Sequence, residues 1–160
     1  AASYGVLAYQ TAYMKANFPV QYMAAVLTAE SNDLNKMAAI VHECGKMGLK
    51  VLPPDVNESF KDFTMIQDGS EGLGIIRFGL KAVKNLGDHI VEVIYRTRKE
   101  GGKYKNLEDF LLRVNDKDLN KKSLEALIKC GAFDSFGHDR MTLLGSVENL
   151  IFFSKMIYYH

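Results

Sequence analysis

The sequence predicts a mostly α-helical protein in which one small β element lies between two helical regions. Three observations indicate this fold class. Apolar side chains recur every three or four residues through most of the 160-residue chain, which is the period of a helix face. Short strand-like runs bounded by turn residues lie within residues 49–78. Glycine, proline and capping residues interrupt the helical pattern at short intervals, so the helices are expected to be joined by tight turns.

Residues 1 to about 48 are expected to form three helices. The first carries a face of aromatic, apolar and small side chains: Tyr4, Leu7, Ala8, Thr11 and Met14. A Phe-Pro step at residues 18–19 ends that helix, and proline is favourable as the first residue of the next one. A Ser-Asn-Asp run at residues 31–33 supplies an N-cap for the third helix, which Gly48 ends.

The β element is predicted from three short runs. Residues 49–52 (Leu-Lys-Val-Leu) are a strand candidate, and the two prolines that follow them exclude a helix there. Apolar runs at residues 60–66 and 74–78 flank a segment that contains an Asp-Gly pair at residues 68–69. An Asp-Gly pair between two such runs is typical of a β-hairpin turn.

Residues 80–150 are expected to form the second helical region. Five helices are predicted there, beginning near Leu80, Asp88, Leu107, Lys121 and Asp139. Two glycines at residues 101–102 end the second of these. Asn106 and Asn120 are the expected N-caps of the next two. Gly131 is the expected glycine after the fourth helix, and the fifth runs to about residue 150 as one element.

A short helix, a tight turn containing glycine and a second short helix occur twice in this region. The first copy spans residues 79–94, with an Asn-Leu-Gly turn. The second copy occupies residues 124–134 and continues into the last helix. This arrangement resembles the helix-hairpin-helix motif. The sequence therefore predicts a tandem pair of the motif, bridged by the helix that Asn106 caps.

The first copy has the properties of a site for a DNA phosphate. Its turn leads into a helix N-terminus, where unpaired backbone N–H groups and the helix dipole attract anions. Gly87 has no Cβ, so a phosphate can approach closely. Asn85 stands where the motif usually has glycine and is expected to adopt the left-handed conformation. Asp88 opposes phosphate binding because its charge directly follows the turn.

Positive charge is concentrated beside this copy. The whole chain has a net charge of only +1, which excludes binding of nucleic acid through bulk charge alone. Residues 77–105, however, contain eight basic and three acidic side chains, a net charge of +5. Two interpretations remain open, a solvated basic face and a DNA-binding surface. The second interpretation selects these contact residues: Lys81, Lys84, Asn85, Leu86, Gly87, Arg96, Arg98, Lys99, Lys103 and Lys105.

The second copy is a weaker candidate for DNA contact. Its turn contains an apolar residue, Phe133, which is better explained by packing between the two copies. Gly131 and Phe133 are therefore predicted to be structural. Lys121 and Lys122 are its candidate phosphate contacts.

No catalytic residue and no metal site is predicted. His42 and Glu43 begin like the zinc motif HExxH, but Lys46 stands where the second histidine is required. Asp116 and Asp118 have the spacing of a metal-binding carboxylate pair, but an ordinary turn between two helices is the preferred interpretation. No apolar run is long enough to span a membrane.

Longer runs of the chain resemble one protein family, the bacterial replicative DNA polymerase III alpha subunits, which are C-family polymerases. Four runs carry this resemblance: residues 3–19 (SYGVLAYQTAYMKANFP), 51–59 (VLPPDVNES), 76–87 (IRFGLKAVKNLG) and 119–134 (LNKKSLEALIKCGAFD). They occur in the family's order and without large gaps, so the resemblance covers roughly residues 1–150.

The resemblance also implies a division into domains. Residues 1–50 are similar to the end of the family's fingers domain, and residues 51–78 to a linker with short β-strands. Residues 79–150 are similar to its tandem helix-hairpin-helix domain. Residues 151–160 depart from the family and are predicted to be a tail foreign to it.

By this resemblance, the chain is expected to be a non-catalytic part of a DNA-directed DNA polymerase in the bacterial cytoplasm. It implies contact with the backbone of double-stranded DNA and the primed template, and with other domains and subunits of the polymerase, but not with a membrane. Ser3, Gln10 and Lys15 are implied to lie near the nucleotide and template. Mg2+ and deoxynucleoside triphosphates (dNTPs) are implied for the whole polymerase and for no residue here, because the family's metal-binding aspartates belong to a preceding domain. The alternative hypothesis is a structural or protein-interaction module without DNA contact of its own.

Overall fold

A computed structural model describes residues 2–67 and 74–156 of the chain. These residues form two compact units. The first unit contains the described residues of Ala1–Leu52 and Phe63–Arg77, and the second contains those of Pro53–Asp62 and Phe78–His160. Helices predominate in both units, which confirms the predicted mostly α-helical fold class. In the described part of the chain, no helix is both long and apolar enough to cross a membrane.

The helices of the first unit begin and end where the sequence predicts. They are α1 (Ala2–Asn17), α2 (Pro19–Ala29) and α3 (Leu34–Lys46). Pro19 is the first residue of α2. The side chain of Asp33 caps α3 by accepting hydrogen bonds from the amides of Asn35 and Lys36. After α3 the chain turns at Gly48, whose φ of 78° is the left-handed conformation that glycine adopts without steric cost.

Three short strands complete the first unit. They are β1 (Lys50–Leu52), β2 (Thr64–Ile66) and β3 (Ile75–Arg77). The central strand β3 pairs with β1 in parallel and with β2 antiparallel, so that Thr64 lies opposite Arg77. The predicted antiparallel pairing is therefore confirmed, while the predicted turn at residues 68–69 lies outside the described residues. The sheet packs on α2 and α3. The domain boundaries expected from the sequence stay a prediction.

The first helical element of the second unit is a single 3-10 turn at Leu80–Ala82, where the sequence predicts a short helix. Five α-helices follow it: α4 (Asp88–Gly101), α5 (Leu107–Arg113), α6 (Lys121–Lys129), α7 (Arg140–Gly145) and α8 (Val147–Met156). The prediction of a single helix from Asp139 is wrong, because a turn at Ser146 interrupts the helix. There the Ser146 amide donates to the Leu143 carbonyl at 3.1 Å, which tightens the end of α7. Helix α8 includes residues 151–156, the first part of the predicted tail.

The predicted helix caps of the second unit are present. The side chain of Asn106 accepts a hydrogen bond from an amide in the first turn of α5. Asn120 and Ser123 form a reciprocal capping box at the start of α6. Gly131 has a φ of 86° after α6, and the amides of Gly131 and Ala132 donate back to the last turn of that helix. These caps fix both ends of α6.

Aromatic side chains form the centre of the core of the second unit. Tyr104, Phe110 and Phe133 are each at most 2% exposed. The rings pack edge to face, with centroids 5.0 Å apart for Tyr104 and Phe110 and 4.9 Å apart for Phe110 and Phe133. Phe136 packs against Phe133, with the centroids 6.0 Å apart. The burial of Phe133 confirms that this residue of the second hairpin is structural.

Candidate nucleic-acid interface

The first hairpin connects the 3-10 turn at Leu80–Ala82 to α4. Asn85 has a φ of 69°, and among the described residues it alone combines a positive φ with a side chain. The left-handed conformation predicted for Asn85 is therefore confirmed, and asparagine tolerates it better than most residues do. Leu86 then turns inwards, is 6% exposed, and donates its amide to the Val83 carbonyl at 3.2 Å. The turn is thus held by its own backbone and by the core.

Gly87 is the N-cap residue directly before α4, and no side chain of the described residues caps this helix N-terminus. An α-helix leaves its first amides without acceptors in the helix, and here they are those of Asp88, His89 and Ile90. A Cβ on Gly87 would meet no atom within 4 Å, so the space around it is open. With the helix dipole added, the first turn of α4 can bind an anion through backbone amides.

The second hairpin differs because its own side chains hold the corresponding position. Asp139 caps α7 by accepting from the amide of Thr142 at 2.9 Å and from its hydroxyl at 3.1 Å, and these bonds lower the pKa of Asp139. Arg140 pairs with Asp134, with 2.9 Å between Nε and Oδ1, and this bond lowers the pKa of Asp134. A phosphate would have to compete with two carboxylates here. This difference supports the first hairpin as the better candidate.

Six of the basic contacts predicted beside the first copy are exposed and form no ion pair within the described part of the chain: Lys81, Lys84, Arg96, Lys99, Lys103 and Lys105. The two lysines nearest the turn precede it, and the other four lie on α4 or directly after it. Their ammonium and guanidinium groups can reach a phosphate without first breaking a salt bridge. They therefore remain the candidates for DNA contact.

Arg98 does not belong to this exposed set. Its guanidinium donates to the carbonyl oxygens of Val56 at 2.6 Å and Ser59 at 2.7 Å. Burial of the group, which also lies against two aromatic rings, lowers its pKa. Its donors thus hold the backbone of the chain's own second unit, and contact of Arg98 with DNA stays a prediction. Contact of Leu86 with DNA also stays a prediction, since its side chain is in the core and its amide donates to Val83.

Lysines from the two hairpin copies meet at one groove. The groove has a volume of about 520 Å³ and an apolar floor, and its lining includes Lys84, Asn85 and Lys122. Lys122, a candidate contact of the second copy, is exposed and lines the same groove as Lys84 of the first copy. Lys121 instead pairs with Glu148, with 2.7 Å between Nζ and Oε1, and this bond raises the pKa of Lys121. Lys121 could reach a phosphate only by giving up that pair.

The residues expected near the nucleotide and template lie on α1, in the first unit. Ser3 and Gln10 are exposed. Lys15 is bound to Glu43 of α3, and this hydrogen bond raises the pKa of Lys15. Ser3 and Gln10 are seven residues apart and share one helix face, while Lys15 lies away from it. Their contact with nucleotide or template stays a prediction.

His89, Asp116 and Asp118 form a cluster that sequence reasoning missed. One possible ligand atom from each lies within 4.8 Å of the others. His89 Nε2 is 3.0 Å from Asp116 Oδ2, and the Asp118 amide donates to Asp116 Oδ1 at 2.9 Å. The turn expected at these aspartates is present. No spacing rule could have added His89, which is 27 residues away from Asp116 in the sequence.

Known proteins contain closely similar sequence. The helix-hairpin-helix motif family matches residues 48–143 of the chain. The chain is 50% identical over 143 residues to DNA polymerase III subunit alpha of Saccharopolyspora erythraea, covering 89% of this chain and 12% of that protein. It is 47% identical over 151 residues to the subunit of Thermus aquaticus, covering 94% of this chain and 12% of that protein. It is 46% identical over 144 residues to the subunit of Mycobacterium tuberculosis, covering 89% of this chain and 12% of that protein. The chain thus spans about an eighth of the length of these relatives.

Proposed function

The chain belongs to the helix-hairpin-helix family, and we propose that it holds the backbone of duplex DNA within a bacterial DNA polymerase III alpha subunit. In this proposal, DNA-directed DNA synthesis belongs to the whole cytoplasmic polymerase. Other segments bind Mg2+ and dNTPs, and this segment contributes no catalytic group. Its partners are the primed template and the neighbouring domains and subunits of the polymerase.

The N-terminus of α4 is the observation that carries the proposal. Three backbone amides of its first turn have no acceptor among the described residues. Gly87, directly before them, leaves room for a phosphate to approach these amides. Amides bound to a phosphate oxygen form charge-assisted hydrogen bonds, which are shorter and stronger than bonds between neutral groups. The second hairpin cannot do the same without displacing its own acids.

The exposed lysines and arginine supply the remaining attraction. They raise the local positive charge around an N-terminus that also carries the unfavourable Asp88. All the donors in this arrangement address phosphate oxygens, and such contacts position DNA without reading its sequence. Binding is therefore expected to be independent of sequence and to weaken steeply as salt rises.

A second candidate function, a structural or protein-interaction module, is supported by the second hairpin. There Arg140 pairs with Asp134, Asp139 caps α7, and Phe133 fills the core. Such a hairpin needs no ligand to be complete. If both copies served only this role, the basic segment would be a solvated face.

Binding of a fluorescein-labelled primed duplex to the 160-residue chain, followed by anisotropy at several salt concentrations, tests the proposal. The Lys81→Glu/Lys84→Glu variant is expected to bind at least about tenfold more weakly, with a smaller salt slope. The Lys46→Glu/Lys50→Glu variant makes the same charge change at exposed residues of the first unit and is the matched control. Equal affinity of the two variants, or no retention of DNA by the parent chain, would favour the structural module.

A further inference from the structure

We propose that His89, Asp116 and Asp118 form a binding site for a first-row divalent transition-metal ion. His89 is the second residue of α4, and the two aspartates lie between α5 and α6. The ligand atoms of the three side chains lie within 4.8 Å of one another. The proposal concerns a structural ion and does not rest on the proposed function.

The distance between His89 and Asp116 suits two ligands of one metal ion. His89 Nε2 and Asp116 Oδ2 are 3.0 Å apart. Two donors bound at right angles to one ion, with bonds of about 2.1 Å, are themselves separated by about 3 Å. An ion can therefore take the place of the hydrogen bond between these two atoms with only a small movement of the side chains.

The local backbone orients one of the two carboxylates for this role, that of Asp116. Asp116 Oδ1 accepts the Asp118 amide at 2.9 Å, and this bond orients Asp116 while leaving Oδ2 for the ion. Within the described part of the chain, no hydrogen bond or ion pair ends on the carboxylate of Asp118. Two partly buried carboxylates thus converge on one imidazole, and a cation would neutralise their charge.

The donor set indicates the class of ion. Imidazole nitrogen binds Zn2+ and other first-row transition metals well, whereas Ca2+ and Mg2+ prefer sites made of oxygen ligands. Three protein ligands on an accessible surface leave further positions for water. The bound ion would link the N-terminus of α4 to the connection between α5 and α6, and so hold the first hairpin in place.

Titration of the 160-residue chain with Zn2+ by calorimetry, and with Co2+ by visible absorption, tests the site. One ion per chain is expected, with a rise in the melting temperature of the chain. Asp118→Asn and His89→Gln should each weaken Zn2+ binding by about tenfold or more. Asp118→Asn is the more informative variant, because it removes a carboxylate without breaking a contact in the described structure.

Two matched controls separate this site from weaker surface binding. Glu100→Gln removes an exposed carboxylate from the same helix as His89, and His138→Gln removes an exposed imidazole elsewhere in the second unit. Both are expected to bind Zn2+ as the parent chain does. Equal binding by all four variants, or no binding by the parent chain at millimolar Zn2+, would overturn the proposal. Neither result depends on whether the chain binds DNA.

Discussion

The guanidinium of Arg98 donates a hydrogen bond to the carbonyl oxygen of Val56, with 2.6 Å between Nη1 and O. Its Nη2 donates a second bond to the carbonyl oxygen of Ser59 at 2.7 Å. Arg96, two positions earlier on the same helix, is exposed and free of ion pairs in the described structure. The basic segment therefore contains both structural and available cations.

Replacing Arg98 by alanine is expected to lower the free energy of unfolding by about 2–4 kcal/mol, because two partly buried carbonyl groups lose a charged donor. The Arg96→Ala variant is the matched control and should change it by less than about 0.5 kcal/mol. Urea unfolding followed by circular dichroism measures both. Equal midpoints for the two variants would show that the bonds of Arg98 contribute nothing to stability.

Gly87→Ala tests the close approach of an anion to the first hairpin. The backbone there has a φ of −72°, and a Cβ meets nothing within 4 Å, so alanine fits without strain. The free energy of unfolding should change by less than about 1 kcal/mol. Any increase would arise because alanine lowers the conformational entropy of the unfolded chain. Affinity for a primed duplex should fall about tenfold, because the methyl group stands beside the amides that bind phosphate.

Gly145→Ala is the control for that prediction, since it also adds a methyl group at an open, exposed position of the second unit. It is expected to leave DNA affinity unchanged. Unchanged affinity for Gly87→Ala as well would place the DNA contact on side chains rather than on the amides of α4.

The left-handed backbone of Asn85 is predicted to make the stability of the chain sensitive to the residue at this position. Its φ of 69° costs an ordinary residue about 1–2 kcal/mol. Asn85→Ala should therefore lower the free energy of unfolding by about 1 kcal/mol, while Asn85→Gly should be close to neutral because glycine adopts this conformation freely. Thermal unfolding compares the two variants. A glycine variant less stable than the alanine variant would contradict this explanation of the turn.

The helix caps and turns could be predicted from the sequence because their causes are local. Asp33, Asn106 and Asn120 each bond amides within three residues, so residue type and spacing contain the whole interaction. The break at Ser146 could not be predicted in this way. Its 3-10 bond competes with a continuous helix through a small energy difference that packing decides.

The exposure of most of the basic candidates could be predicted from sequence, because exposure is the usual state of lysine and arginine. The exception, Arg98, bonds a residue 42 positions away, and charge counting contains no information about such a contact. The cluster of His89 with Asp116 was missed for the same reason. Long-range contacts depend on how helices pack, and a single sequence does not state that packing.

Tyr104 provides a prediction about the stability of the chain at alkaline pH. It is 2% exposed, and its hydroxyl donates to the carbonyl oxygen of Ile94 at 2.8 Å. Burial raises the pKa of Tyr104 to about 12, even though the guanidinium of Arg113, 4.5 Å from the ring centroid, acts in the opposite direction. In the unfolded chain a tyrosine titrates near pH 10. The folded state therefore holds this proton more tightly than the unfolded state.

Because the folded pKa lies above the unfolded one, Tyr104 stabilises the fold fully below about pH 10 and loses that contribution as pH rises towards 12. The loss is expected to be about 2–3 kcal/mol. Tyr104→Phe should cost about 1 kcal/mol at pH 7, where the bond to Ile94 is lost, but should flatten the alkaline decline measured by urea unfolding at several pH values. Tyr4→Phe, at a side chain 78% exposed, should leave the decline unchanged. An equally steep decline in Tyr104→Phe would assign it to other groups.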